Sequence, residues 1–336
     1  MMDQVVMLLI ALGGGALGAT LGANYALILS SVAILTGTGV IASGAVGPGQ
    51  QIIDTIALGP MFGPHVAFAG AVAAAAYAGK KRYRGVDGLK DIVSPLAGTG
   101  QISVWIIGAV FGGLGWLINY GLAQTGWFAA HTETVFLTVV ISAIAVRFIF
   151  GDRSLFNRSL AQSLLSTRNK AGDEVYHWLP WQEKPRQFLV LGLAAGLIGG
   201  GVGALLPVYV PGLSGDTVKL VPFAFAALAL IILNLGGRAN MAPLTHHMMW
   251  PAALAGAVFY DVFAGGVTAG TAETWPLLGA VVVGAAGGVL GAALGEFFAR
   301  LWNNRGTTHI DPALSSIWLS TLVVTSAGAL AGCSFC

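Results

Sequence analysis

The stretch Gly47-Pro48-Gly49-Gln50-Gln51-Ile52-Ile53-Asp54-Thr55-Ile56-Ala57-Leu58-Gly59-Pro60-Met61-Phe62-Gly63-Pro64-His65 decides how this chain folds. Its proline and glycine density rules out one continuous helix. Its other residues are too apolar for a solvent loop. A second stretch repeats the composition: Gly236-Gly237-Arg238-Ala239-Asn240-Met241-Ala242-Pro243-Leu244-Thr245-His246-His247-Met248-Met249-Trp250-Pro251. Aligned, Asp54 falls on Asn240 and Leu58 on Leu244. Irregular backbone at membrane depth is tolerated only inside protein or beside a water-filled cavity. The expectation is therefore two re-entrant half-helices, one dipping from the outside and one from the inside. Free N–H groups near Pro48-Gly49 and near Asn240 would carry partial positive charge there, suited to an anion or a carbonyl oxygen.

Composition supports that setting. Of 336 residues, 56% are hydrophobic and only 9% charged. Soluble domains carry about 25% charged residues, so lipid replaces water over most of this surface. The expected class is an all-α polytopic membrane protein. A net charge of +2, without any basic block interleaved with aromatics, excludes a nucleic-acid partner. The 49 glycines are read as close helix packing rather than flexibility. The N-terminus has no basic region with a cleavage site, so its apolar stretch is expected to stay as a span.

A membrane helix needs about 20 apolar residues. Candidate spans fall roughly at 5–22, 25–43, 63–79, 101–122 and 133–150, then 188–210, 219–236, 250–266, 275–300 and 312–331. They divide the chain into a first repeat (1–150), a linker with a candidate amphipathic helix (151–187) and a second repeat (188–336). Three matches in the same order support duplication: Leu12–Gly18 with Leu193–Gly199, Ala67–Val72 with Ala253–Val258, and Trp105–Val110 with Trp275–Val281. An odd number of spans per copy inverts the second copy. Basic residues mark the cytoplasmic side. With both termini outside and the linker cytoplasmic, all of the 16 Lys and Arg residues but Lys219 obey that rule. The expected location is a bacterial inner (plasma) membrane.

The polar candidates follow from this layout. Gln50, Gln51, Asp54, Arg238, Asn240, Thr245, His246 and His247 belong to the interrupted stretches and are the expected solute-binding set. His131-Thr132-Glu133 opens the fifth span and His309-Ile310-Asp311 the tenth, so one His-x-acid pattern recurs on opposite sides. Capping is the first reading, since Asp311 precedes Pro312 as an N-cap would; gating or proton coupling is the second. Asp261 lies inside the eighth span, where a carboxylate is a functional candidate by default. Glu296 and Arg300, four apart, read as an ion pair. Neighbouring His246 and His247 point about 100° apart on a helix and make a poor chelate, so no metal or other cofactor is expected. The tail Cys333-Ser334-Phe335-Cys336 permits a disulfide but has no redox-fold context.

Two inverted five-span halves, each with a half-helix between its second and third spans, resemble the layout of urea-channel-type proteins. That likeness is one of architecture and assigns no residue a role. The expectation is a transporter moving a small polar solute, with anions among the candidates, through a midplane site. Proton or sodium coupling would fall to Asp54, Asp261 or the His-acid pairs. The alternatives are an uncoupled channel and a non-catalytic subunit docking a partner through 151–187. An intramembrane enzyme fits less well, because His131 and His309 are expected on opposite sides. Glycine-rich faces also permit a homo-oligomer.

Overall fold

The computed structural model describes residues 2–156, 178, 179, 181–210, 212, 213, 215–235 and 242–336. Among them every regular element is helical. The first half comprises α1 (Met2–Leu21), α2 (Ala23–Ala42), α3 (Val46–Ile52), α4 (Ala69–Lys80), α5 (Ile102–Leu122), α6 (Trp127–His131) and α7 (Thr134–Phe150). The second comprises α8 (Pro185–Tyr209), α9 (Leu220–Ala227), α10 (Leu230–Asn234), α11 (His246–Ala264), α12 (Thr274–Phe298) and α13 (Pro312–Ala331).

Six helical segments are long and apolar enough to cross a membrane: Asp3–Leu21, Ala23–Ala42, Ile102–Leu122, Pro185–Tyr209, Thr274–Asn303 and Pro312–Ala331. The other four expected spans are helical but shorter, interrupted or polar at one end. Helix α7 has 17 residues. The expected span 219–236 is split into α9 and α10. Helix α4 is preceded by a π-helical turn at Pro64–Phe68, and α11 opens on His246-His247.

Glycine explains the packing. In the first half α1, α4 and α5 meet where Gly15 lies against the backbone of Gly108 and Gly112, leaving no room for a Cβ. In the second half α8, α11 and α12 meet the same way, with Gly196 against Ala285 and Gly200 against Gly284. The correspondence extends to Gly115, which faces the His65 carbonyl, and Gly291, which faces the His247 carbonyl. The sequence match of Ala67–Val72 with Ala253–Val258 has a counterpart in the packing: Gly18 lies against the Ala67 carbonyl and Gly203 against the Ala253 carbonyl.

The halves join through α2 against α9–α10 and α7 against α13. Asn24, at the start of α2, lies against Asn234, at the end of α10 (Nδ2 to Oδ1, 3.4 Å). Gly212, just before α9, packs on Ile41 near the end of α2. The Thr132 hydroxyl, ahead of α7, donates to the Trp318 carbonyl at 2.6 Å. Near the other end of α7, Arg147 donates to the Thr308 carbonyl at 2.5 Å. Both pairs therefore run antiparallel. The core between them is built from Leu27, Phe136, Phe223, Trp250, Leu314 and their neighbours.

The first interrupted stretch takes the shape its sequence requires. Helix α3 continues into a π-helical turn at Ile53–Ala57, running antiparallel to α2 with Gly49 on Gly37 and Ile41. It ends inside the protein, where the Ser30 hydroxyl donates to the Ala57 carbonyl at 2.7 Å. The chain then turns through Gly59, Pro60, Gly63 and Pro64 and resumes toward α4. Much of its counterpart, including Arg238 and Asn240, lies outside the described residues, as does most of the 151–187 linker.

Candidate functional site

A cavity of about 360 Å³ lies where the two halves meet. Its walls come from the start of α2 (Asn24, Leu27), the turn before α4 (Phe68), Trp178 and Leu179, α10 (Leu230, Leu233) and the starts of α11 and α13 (His246, Asp311, Ala313). This is the lower part of the size range for small-molecule sites, and a mostly apolar lining with a few polar groups is typical of them.

Asp311 is the N-cap of α13: its Oδ1 accepts from the Leu314 N–H at 2.7 Å, as the order Asp311-Pro312 requires. Its Oδ2 lies 3.1 Å from His309 Nε2. The His309 ring meets the Phe68 ring edge-on at 6.2 Å. His246 is buried, and its Nδ1 has no hydrogen-bond partner among the described residues. His247 turns away, against the Trp178 ring at 5.5 Å. The two neighbouring imidazoles thus face different surroundings, as their helical offset demands.

An aromatic cluster adjoins the cavity wall at His246. Trp250 meets Phe136 at 5.0 Å and Phe223 at 4.9 Å, both nearly perpendicular. Phe223 also meets His246 at 5.9 Å. All three aromatic rings are fully buried. Beyond them Lys219 places its ammonium 5.0 Å above the Trp250 ring and forms an ion pair with Glu133. Lys219 is 2% exposed. Burial and pairing with Glu133 set Lys219, the one exception to the expected charge pattern, apart from solvent.

Glu133 opens onto a second recess, of about 380 Å³, with Thr132, Thr321, Thr325, Phe335 and Cys336 in its wall. Since α7 and α13 are antiparallel, Glu133 and Asp311 stand toward opposite ends of this helix pair. Between them lie buried hydroxyls, among which Thr138 and Ser142 have no hydrogen-bond partner among the described residues.

The remaining sequence candidates are placed elsewhere. Gln51 and Asp54 are exposed and Gln50 is half-buried on the outer side of α3. There Gln50 donates to Asp54 at 2.8 Å and Gln51 to Thr55 at 2.6 Å; none of them lines the cavity. Thr245 is the N-cap residue of α11, without a side-chain cap bond. His131 hydrogen-bonds through Nδ1 to the Trp127 carbonyl at 2.7 Å, its ring stacked on Trp127. Asp261 accepts from the Ser334 N–H at 2.7 Å and its hydroxyl at 2.9 Å. That clasp holds the tail, where Cys333 and Cys336 form a disulfide. Glu296 and Arg300 approach to 3.9 Å, the expected ion pair.

Sequence reasoning missed Asn24, Phe68, Trp178 and the aromatic trio. Apolar spans hide aromatics, and only the charged Glu133 and Lys219 marked that region in the sequence. No group of three metal-ligating side chains is found among the described residues.

Fold and site together define an all-helical protein with membrane-length apolar helices and an interior cavity between two similarly packed halves. The chain belongs to the family described as "Family of unknown function (DUF7973)", which matches residues 1–166 and again residues 157–333. Nothing among curated proteins or solved structures matches it.

Proposed function

We propose that this protein is a membrane transporter for a small solute, built from two inverted repeats that each cross the bilayer five times. Support for the repeats comes from one family description matching both halves and from the antiparallel packing of α2 on α9–α10 and of α7 on α13. Inverted pairs of this kind place their sites near the bilayer midplane, beside interrupted helices. The short, split and π-helical segments are the four crossings that length and hydropathy alone miss. Both termini then face outside and the central segment faces the cytoplasm.

One observation carries the reading: a cavity holding His246 and Asp311 is separated from the Glu133 recess by the Phe136–Phe223–Trp250 cluster. An aromatic barrier between two facing recesses suits a carrier that opens them in turn better than a standing channel. In this reading the solute site is the cavity, rather than the Gln50–Asp54 face of α3. Coupling, if the transport is driven, falls to the Glu133–Lys219 and His309–Asp311 pairs, one at each end.

The test is uptake by proteoliposomes containing this protein alone. Saturable flux is expected, and Trp250→Ala should raise passive leak several-fold. No flux for a broad solute panel, with no leak in Trp250→Ala, would favour a non-catalytic subunit of a larger assembly.

A further inference from the structure

The cavity wall has a definite chemistry. Most of it is hydrocarbon and aromatic: Leu27, Phe68, Trp178, Leu230 and Leu244. Among its described residues Asp311 is the only charged side chain, and neither lysine nor arginine lines it. A carboxylate on an apolar wall is costly unless a cation or strong donors meet it. The Leu314 N–H and the His309 imidazole supply two contacts. A carboxylate has about four acceptor sites, so the group keeps capacity for another donor. Independently, the buried His246 Nδ1 has no hydrogen-bond partner among the described residues. A buried polar atom of this kind normally has one.

A bare sodium or calcium ion would want six or more oxygen ligands, which these walls do not offer. An anion would meet Asp311 without a balancing positive side chain among the described lining. A molecule with a positively charged N–H head and a hydrocarbon body satisfies every wall at once.

We infer that the cavity binds a small organic ammonium ion, its head between Asp311 and His246 and its hydrocarbon body against Leu27, Phe68, Trp178 and Leu244. This rests on reading the cavity as the solute site, and it replaces a generic polar solute by a cationic amphiphile. The anion admitted by the sequence alone is disfavoured.

The experiment is equilibrium dialysis of phenethylammonium against the purified full chain in detergent. The size-matched alcohol 2-phenylethanol and the carboxylate 3-phenylpropionate run alongside. Saturable binding of the ammonium is expected, with the carboxylate at least tenfold weaker. Asp311→Asn keeps a capping oxygen and removes the charge; it should weaken ammonium binding at least tenfold more than alcohol binding. Should that variant not fold, His246→Gln and the wild-type order of the three probes still decide. Equal or tighter binding of the carboxylate, or an Asp311→Asn protein with unchanged preference, overturns the inference. So does the lack of saturable ammonium binding. Binding that persists without flux in proteoliposomes would instead sink the transport reading alone, whereas flux of another solute without ammonium binding would sink only this one.

Discussion

The starts of α7 and α13 carry the same motif, yet they are put to different use. At α13, His309 and Asp311 bond to each other and Asp311 caps its own helix. At α7, Glu133 leaves its helix uncapped by a side chain and reaches instead to Lys219 of the other half, while His131 folds back on Trp127. A three-residue pattern fixes where an acid is placed, but not what it meets. The difference arises because Lys219, just ahead of α9, meets Glu133, whereas the start of α2 brings the uncharged Asn24 to the cavity wall that holds Asp311.

This contrast predicts unequal costs. Lys219→Met leaves Glu133 poorly solvated without its cation and should destabilise the detergent-solubilised protein most, by about 4 kcal/mol. Adding Glu133→Gln should recover most of the loss in thermal unfolding; a double variant no better than the single would break the ion-pair account. Next come Gly115→Ala and Gly291→Ala, whose new methyl groups would strike the carbonyls of His65 and His247. Each should cost about 2–3 kcal/mol, and an unharmed protein in either case would show that the halves are not packed alike. At the α13 end, Asp311→Ala loses a cap worth about 1 kcal/mol, measured the same way.

A pH test addresses the same end. Burial, with a smaller contribution from the Arg147 charge, pushes the Lys90 ammonium down to about 8, although it donates to the Asn303 carbonyl at 2.5 Å. The unfolded chain binds that proton more tightly, so the charge opposes folding below about pH 8. The penalty should fade between pH 8 and 10. Relative to Lys90→Met, wild-type stability should therefore rise with pH across that window; a flat difference would contradict it. The smallest effect belongs to Gln51→Ala, whose exposed site predicts a change within about 0.5 kcal/mol and unaltered flux.

Much of the fold was legible because apolar run length carries it. The expected 101–122, 133–150 and 312–331 lie within a residue of α5, α7 and α13. The proline–glycine stretch announced a break, and a break stands at Leu58–Gly63. The candidate site was only half legible. His246, His309 and Asp311 were found because polar residues stand out in lipid-facing sequence. Phe136, Phe223 and Trp250 were not, since an aromatic in an apolar span looks the same whether it meets lipid, core or pathway. Gln50, Gln51 and Asp54 lie away from this cavity, and short helix α3 gives no periodicity long enough to show which of its sides faces inward.

The tail clasp has a practical corollary. Phe335 and Cys336 form part of the rim of the Glu133 recess, and Asp261 pins the residue before them. Any bulky group attached at Cys336 would therefore sit at the mouth of that recess and obstruct it.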